Sequence, residues 1–367
     1  MLYLAAAATH PWPVVICKFV SKGVIMEEKM KKKLLVLVDG SERSIHTVKY
    51  VKDFMPIDDS TQIVLFHVFD SSPEWYQEAY QEVCQEVHKE VYQGLENRPA
   101  GDKMEDALSR WESVEQKKIL THLKKAKQIL VRGGFQEHQV EIKFHHLEKG
   151  VAQDIIKEAK DGYTAVILRR RGMGKFKSII LGSVAVKLLQ TLTFIPIIIV
   201  GQTPAVKKVL LAVDTSPCSM KAVDLIAQWL GGHGHGAVIF HAVLGLGAIN
   251  FECPGTDLPV DLPSESDTSR VAMEANCINS FKSKIMGLFQ NIRKILERSG
   301  FKPENISEKI ATGVHSRSQA IIEQAEKSGC GTIVVGRRGL SRVEAFFIGR
   351  VGHKVVYGAT HYTVWVV

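Results

Sequence analysis

The chain carries the same loop twice, and that duplication limits what it can fold into more than any other feature. Gly336-Arg337-Arg338-Gly339 is followed by nine residues and then Gly349-Arg350. Arg169-Arg170-Arg171-Gly172 is followed by nine residues and then Gly182-Ser183. Each copy comes after a short apolar, β-branched run of the kind that forms a buried strand, Gly331 to Val335 or Thr164 to Leu168. Each leads into what reads as a helix start, Val351 to Val356 or Val184 to Leu189. A strand, a glycine-bearing loop and a helix start together make an anion-binding device. Glycine lets the backbone approach a phosphate, and the first helical amides point at it. A single copy would be weak evidence, because glycines at strand ends often serve plain turns.

The duplication extends through the rest of the chain. Lys31 to Asp39 reads as a strand ending in an acid, and Gly40-Ser41-Glu42-Arg43-Ser44 supplies turn and N-cap residues. Val48, Val51 and Phe54 recur at helical spacing, and Thr61 to Val68 is a second strand. That βαβ order implies a parallel sheet with right-handed crossovers. It returns as Lys207 to Asp214, then Thr215, Ser216 and Ser219, then Ala222, Leu225, Ile226 and Trp229, then Gly236 to Ala242. Asp39 corresponds to Asp214, Ser41 to Ser216, Ser44 to Ser219, and Phe66-His67 to Phe240-His241. An internal repeat is the economical account.

After its second strand each half has a long insert. In Ser71 to about Glu115, Tyr76, Tyr80, Val83, Val87 and Val91 share one helical face, a packing stripe. Gly245 to Asp267 is rich in Gly, Pro, Ser and Asp and reads as a loop over the sheet's carboxyl edge. Basic helices follow, Gln116 to Val131 and Ala275 to Arg298, then strands Val140 to Phe144 and Ile306 to Ala311. Gly150 and Gly313 then open helices containing Ile155-Ile156 and Ile321-Ile322. Each half closes on a strand, Ile195 to Val200 or Tyr362 to Val367. The division is therefore 1–30 as a disordered extension, 31–201 as the first domain and 202–367 as the second. Gly201 to Ala205 forms the linker.

Of the residues, 45% are hydrophobic and 23% charged, which is ordinary for a globular protein. No apolar run reaches the roughly 18 residues of a membrane helix. A net charge of +8 suits an acidic partner without choosing one. The six cysteines form no Cys-x-x-Cys pair and no zinc-like spacing with His, which points to free thiols in a reducing cytoplasm.

Taken together, the Asp-x-Ser after the first strand, the Gly-x-x-Gly, nine residues, Gly-Ser pattern and the five-strand order of each half make residues 31–367 resemble a tandem universal stress protein. The resemblance implies two doubly wound α/β domains, each with a five-stranded parallel sheet in the order 3-2-1-4-5 and helices on both faces. It implies that the two domains pair through their fifth strands as a pseudo-dimer within the chain, and it leaves a homodimer open. It also implies an adenine nucleotide, ATP with Mg in company, and neither a nucleic-acid nor a membrane partner.

Carried over by position, Asp39 and Asp214 face the base or ribose, Val68 and Ala242 pack on adenine, and Leu168 and Val335 offer backbone to the ribose. Gly172, Gly182, Ser183 and Val184 hold phosphates in the first half. In the second half Gly336, Gly339, Gly349, Arg350 and Val351 do so. All these positions lie at the carboxyl ends of parallel strands, where open α/β sheets form their ligand crevice.

Both copies depart from the pattern. Arg169 replaces the first glycine, with a Cβ and a long side chain beside the ribose. Arg350 replaces the Ser/Thr, losing a hydroxyl and adding a cation. The second half, with all three glycines, is the favoured binder. Asp39 and Asp214 are read as turn caps or ligand positioners rather than catalytic acids, since no motif places a partner beside them. The Arg169-Arg170-Arg171 run is read as a solvated loop edge, His233 and His235 as loop residues without a full metal set, and His145-His146 as a strand end. The expected function is a cytoplasmic nucleotide-binding stress regulator with weak ATP hydrolysis at most. An interaction or scaffold protein with both pockets closed is the alternative, and an adenylate-forming or ATP-hydrolysing enzyme is a third reading.

Overall fold

The computed structural model describes residues 31–70, 100–171, 180–244, 267–338 and 348–367. The Tyr76 to Val91 stripe, the N-terminal extension, Gly172, Gly339 and most of the second insert lie outside them. In the first half, β1 (Lys32–Leu37), α1 (Glu42–Phe54) and β2 (Thr61–Phe69) lead to α2 (Ala100–Arg132), β3 (Val140–His146) and α3 (Val151–Ala159). β4 (Ala165–Arg169), α4 (Ser183–Thr191) and β5 (Ile197–Val200) complete it. The second half repeats the series as β6 (Lys208–Ala212), α5 (Pro217–Leu230), β7 (Gly236–Leu244), α6 (Asp267–Arg298) and β8 (Ile306–Val314). It ends with α7 (Arg317–Lys327), β9 (Thr332–Val335), α8 (Arg350–Gly358) and β10 (Thr363–Val366).

The strands form one ten-stranded sheet in the order β3-β2-β1-β4-β5-β10-β9-β6-β7-β8. Neighbours within each half are parallel. Where the halves meet, β5 and β10 pair antiparallel, with Ile199 opposite Val364 and Ile198 opposite Trp365.

Strands buried on both faces read as continuous apolar runs, and alternate residues feed opposite cores. Leu34 and Val36 of β1 join a core with α1, α2, α5 and α6, while Leu35 joins the other with α3, α4, α7 and α8. Each core runs through both halves.

Three sequence expectations change. α2 and α6 begin earlier than expected, at Ala100 and Asp267, because residues given to the inserts continue the helices. Gly313 does not open a helix. It lies inside β8 with φ +71°, at a register shift that sets residues 312 and 313 against Val243. Such a bulge needs a left-handed residue, which glycine supplies. The following helix is instead capped by Ser316, whose side chain accepts from the Gln319 amide.

Candidate functional site

Six of the first-half candidates, Asp39, Val68, Leu168, Gly182, Ser183 and Val184, line one cleft of about 790 Å³. It opens at the carboxyl ends of β1, β2 and β4. Apolar lining comes from Leu37, Phe66, Ile119, Val151 and Ile155.

One rim is the β1–α1 turn. Gly40 takes φ +80°, a backbone that a side chain would strain. Asp39 Oδ1 accepts from the Ser41 amide at 3.0 Å and from its hydroxyl at 2.6 Å. Ser41 Oγ in turn accepts from the Ser44 amide at 3.3 Å, capping α1. Asp214 and Ser216 repeat the arrangement, with Asp214 Oδ1 accepting from the Ser216 amide at 2.9 Å. In both copies the acid organises its own turn.

Beneath the turn, His67 Nδ1 donates to the Val38 carbonyl at 2.7 Å, as His241 does to Val213 at 2.6 Å. A carbonyl only accepts, so the proton is on Nδ1. Burial lowers the pKa of both rings and keeps them neutral.

Opposite is the start of α4. Its N-cap is Gly182, with no side-chain cap, so its first amides keep their orphan character beside the cleft. Gly349 starts α8 in the same way. Arg350, the first residue of α8, is exposed, as its counterpart Ser183 is at the start of α4.

Arg169 lines the cleft, and its Nη1 donates to the Gly201 carbonyl at 2.6 Å. The counterpart Gly336 packs so closely that a Cβ would lie 3.0 Å from both Cys218 C and Ser219 N. The basic triplet is not simply a solvated edge, because Arg170 is only 6% exposed and is spent on the other half's backbone. In the second half, Asp214, Ala242, Val335, Gly336, Gly349, Arg350 and Val351 occupy the matching strand ends and helix start. The cleft of about 790 Å³ is in the first half, and residues 339–347 of the second half's loop lie outside the described residues.

Sequence reasoning missed the fourth wall. Glu115, Lys118, Ile119 and His122 of α2 line the cleft, and His122 Nε2 lies 3.4 Å from Ser44 Oγ. Their spacing puts them on one helical face, which was the available signal. His235 is buried and binds the Phe54 carbonyl, while His233 lies 3.8 Å from Asp58, so the two serve the interface between the halves. His145, Glu148 and Asp154 bring possible metal-ligand atoms within 4.8 Å of one another. Asp154, however, uses both oxygens to accept from the Glu148 and Lys149 amides, at 2.8 and 3.2 Å, which closes the turn before α3. Among the described residues, no helix is long and apolar enough to cross a membrane.

Comparison with known proteins follows the same division of the chain. No curated protein matches it. A universal stress protein from Archaeoglobus fulgidus is similar at 19% identity, covering 92% of this chain and 98% of its own, with a TM-score of 0.54. A protein described as a putative universal stress protein from Pseudomonas aeruginosa covers 92% of this chain and 94% of its own at 15% identity, with a TM-score of 0.47. A universal stress protein in complex with cAMP covers 44% of this chain and 94% of its own at 19% identity, with a TM-score of 0.29. The family model described as the universal stress protein family matches residues 30–201 and again 205–367, so this chain, with its two five-stranded halves, belongs to the universal stress protein family.

Proposed function

We propose that the chain is a cytoplasmic stress-response regulator that binds an adenine nucleotide, ATP in the first instance, in the cleft of its first half. The observation that carries this reading is the joining, in one cleft of about 790 Å³, of an apolar lining with an uncapped helix start. That size lies within the roughly 300–1,000 Å³ of small-molecule sites. The lining at Val68 and Leu168 takes the base, Asp39 and the Leu168 backbone take the ribose, and Gly172, Gly182, Ser183 and Val184 take the phosphates with their Mg. Lys118 adds a cation at the rim. A second nucleotide binds at Asp214, Ala242, Val335, Gly336, Gly339, Gly349, Arg350 and Val351, with the Arg350 cation replacing the lost hydroxyl. The β5–β10 pairing serves as the intramolecular pairing of the two domains. A regulatory rather than catalytic role is supported by Asp39 and Asp214, whose carboxylates already bind their own turns.

The test is to denature freshly purified protein, identify released nucleotide by liquid chromatography, and follow melting against ATP. Co-purified adenine nucleotide, or a rise of several degrees at millimolar ATP that is lost with Gly182→Val, is the expected result. A shift lost only with Gly349→Val moves the site to the second half. An empty protein with a flat titration overturns the reading.

A further inference from the structure

Arg170 and Arg337 occupy the same place in the two glycine loops, one residue after Arg169 and Gly336. Both side chains are buried, at 6% exposure. Each leaves its own half. Arg337 Nη1 donates to Leu189 O at 2.8 Å and Nη2 to Leu192 O at 2.6 Å, at the end of α4. Arg170 Nη1 donates to Val356 O, and Nη2 to Ala359 O at 2.8 Å and Tyr362 O at 3.3 Å, at the end of α8. The same offset separates Arg170 from Arg337, Leu189 from Val356, and Leu192 from Ala359.

These helices need such caps. Each has only nine residues, a length that is marginal alone. Neither has a basic residue in its own last turn. The last carbonyls of a helix lack partners within it, and its C-terminus favours a cation. Burial lowers the pKa of both arginines to about 10, so they stay charged at neutral pH. A bidentate guanidinium therefore meets both needs from across the join.

The opposite ends of the helices are the ligand loops. α4 starts at Gly182, whose amide donates to Arg170 O at 2.9 Å, and α8 starts at Gly349, whose amide donates to Arg337 O at 2.7 Å. Following the bonds closes a ring. The first loop holds the end of α8 through Arg170, and α8 begins where the second loop ends. The second loop holds the end of α4 through Arg337, and α4 begins where the first loop ends.

We propose that Arg170 and Arg337 are reciprocal positioning residues, each setting the far half's phosphate-loop helix, so that α4 and α8 act as rigid levers coupling the first cleft to the matching strand ends of the second half. The lever itself stands on the geometry alone. Its effect on ligand affinity rests on the nucleotide reading above.

Hydrogen exchange on the full chain separates the two. Without ligand, Arg337→Gln is expected to speed exchange about tenfold at residues 188–192 and also at the far end of α4, at the bonded amides of Gly182 and Val186. Arg170→Gln is expected to do the same at 356–359 and at the bonded amides of Gly349 and His353. Arg337→Lys and Arg170→Lys keep the charge but lose the fork, and give smaller increases if the Gln variants fail to fold. Loosening confined to the capped turn, or none, overturns the lever. With ATP added, protection in the first cleft of wild type should extend to 356–359, and Arg170→Lys should abolish that extension while lowering affinity at least fivefold in the second half. Protection that stops at the first cleft overturns the coupling. An absence of ATP protection anywhere in wild type refutes the nucleotide reading, while the ligand-free comparison still decides the lever.

Discussion

At His235 a single imidazole seals the join between the halves. Nε2 donates to the carbonyl of Phe54 at 2.9 Å, and the ring meets the Phe54 ring edge-on at 5.0 Å. Nδ1 is buried with no hydrogen-bond partner. Burial therefore pushes the pKa down from 6.5 to about 4, favouring the neutral ring. The sign follows from where the proton goes first. Above pH 6.5 both folded and unfolded chains carry neutral His235, and its contribution is fully present. Between pH 6.5 and about 4 the unfolded chain takes the proton while the folded chain resists, so stability falls by up to about 3 kcal/mol. Burial lowers His67 and His241 in the same direction, so the contribution of His235 must be read as a difference. Urea midpoints from pH 7 to 4.5 should fall more steeply for wild type than for His235→Gln, which keeps a donor but does not titrate. Equal slopes would remove His235 from the acid sensitivity.

Among the described connecting elements, the linker is closely fitted. Gly201 passes so close to the turn before β10 that a Cβ would lie 2.2 Å from His361 O and 2.3 Å from Tyr362 C. The next two residues clasp the same carbonyl, with the Gln202 and Thr203 amides donating to His361 O at 2.6 and 2.8 Å. Both neighbours are backbone and have no rotamer to yield. Gly201→Ala should therefore cost about 1–3 kcal/mol and lower Tm by several degrees. Gly287, inside α6 with nothing within 4 Å of its Cβ position, is the control. Gly287→Ala should raise stability by about 0.5–1 kcal/mol. If the two alanines shift Tm alike, close approach is not what Gly201 provides. The linker shows where sequence legibility ends. The buried strands could be read because apolar runs are local, and the repeat because Asp39 and Asp214 head series with the same Asp-x-Ser-x-x-Ser spacing. Gly201 could be placed as a linker, but not as a contact with residue 361, because that contact closes only when the sheet assembles. The same holds for Arg170 and Arg337. Their matching positions in the two loops were visible, but their acceptors lie 145 to 192 residues away, and a basic triplet looks solvated until those carbonyls arrive. The shared face of Lys118 and His122 was visible in their spacing, but that it closes the cleft of β1 was not, because that contact too is long-range.

One sheet and two cores spanning both halves make the whole molecule, rather than each half, the natural unfolding unit. Trp365 of β10 is fully buried where they meet. Its Nε1 donates to Tyr50 Oη at 2.9 Å, and that hydroxyl lies 3.0 Å from Thr332 Oγ1, so α1 of the first half is tied to β9 and β10 of the second. Around it Phe54 and Trp229 pack edge-on, with centroids 5.8 and 5.7 Å away. Chains of two domains often unfold in two steps, because few contacts cross between their domains. Here separating the halves would strip β5 and β10 of each other and leave two bare strand edges beside an opened aromatic cluster. Calorimetry should therefore show a single transition. Trp365→Ala should cost about 3–5 kcal/mol and move that whole transition down, because the cavity belongs to both halves. Two resolved transitions in wild type, or a Trp365→Ala variant in which only the second half melts early, would mean that the halves are separate units joined at an edge.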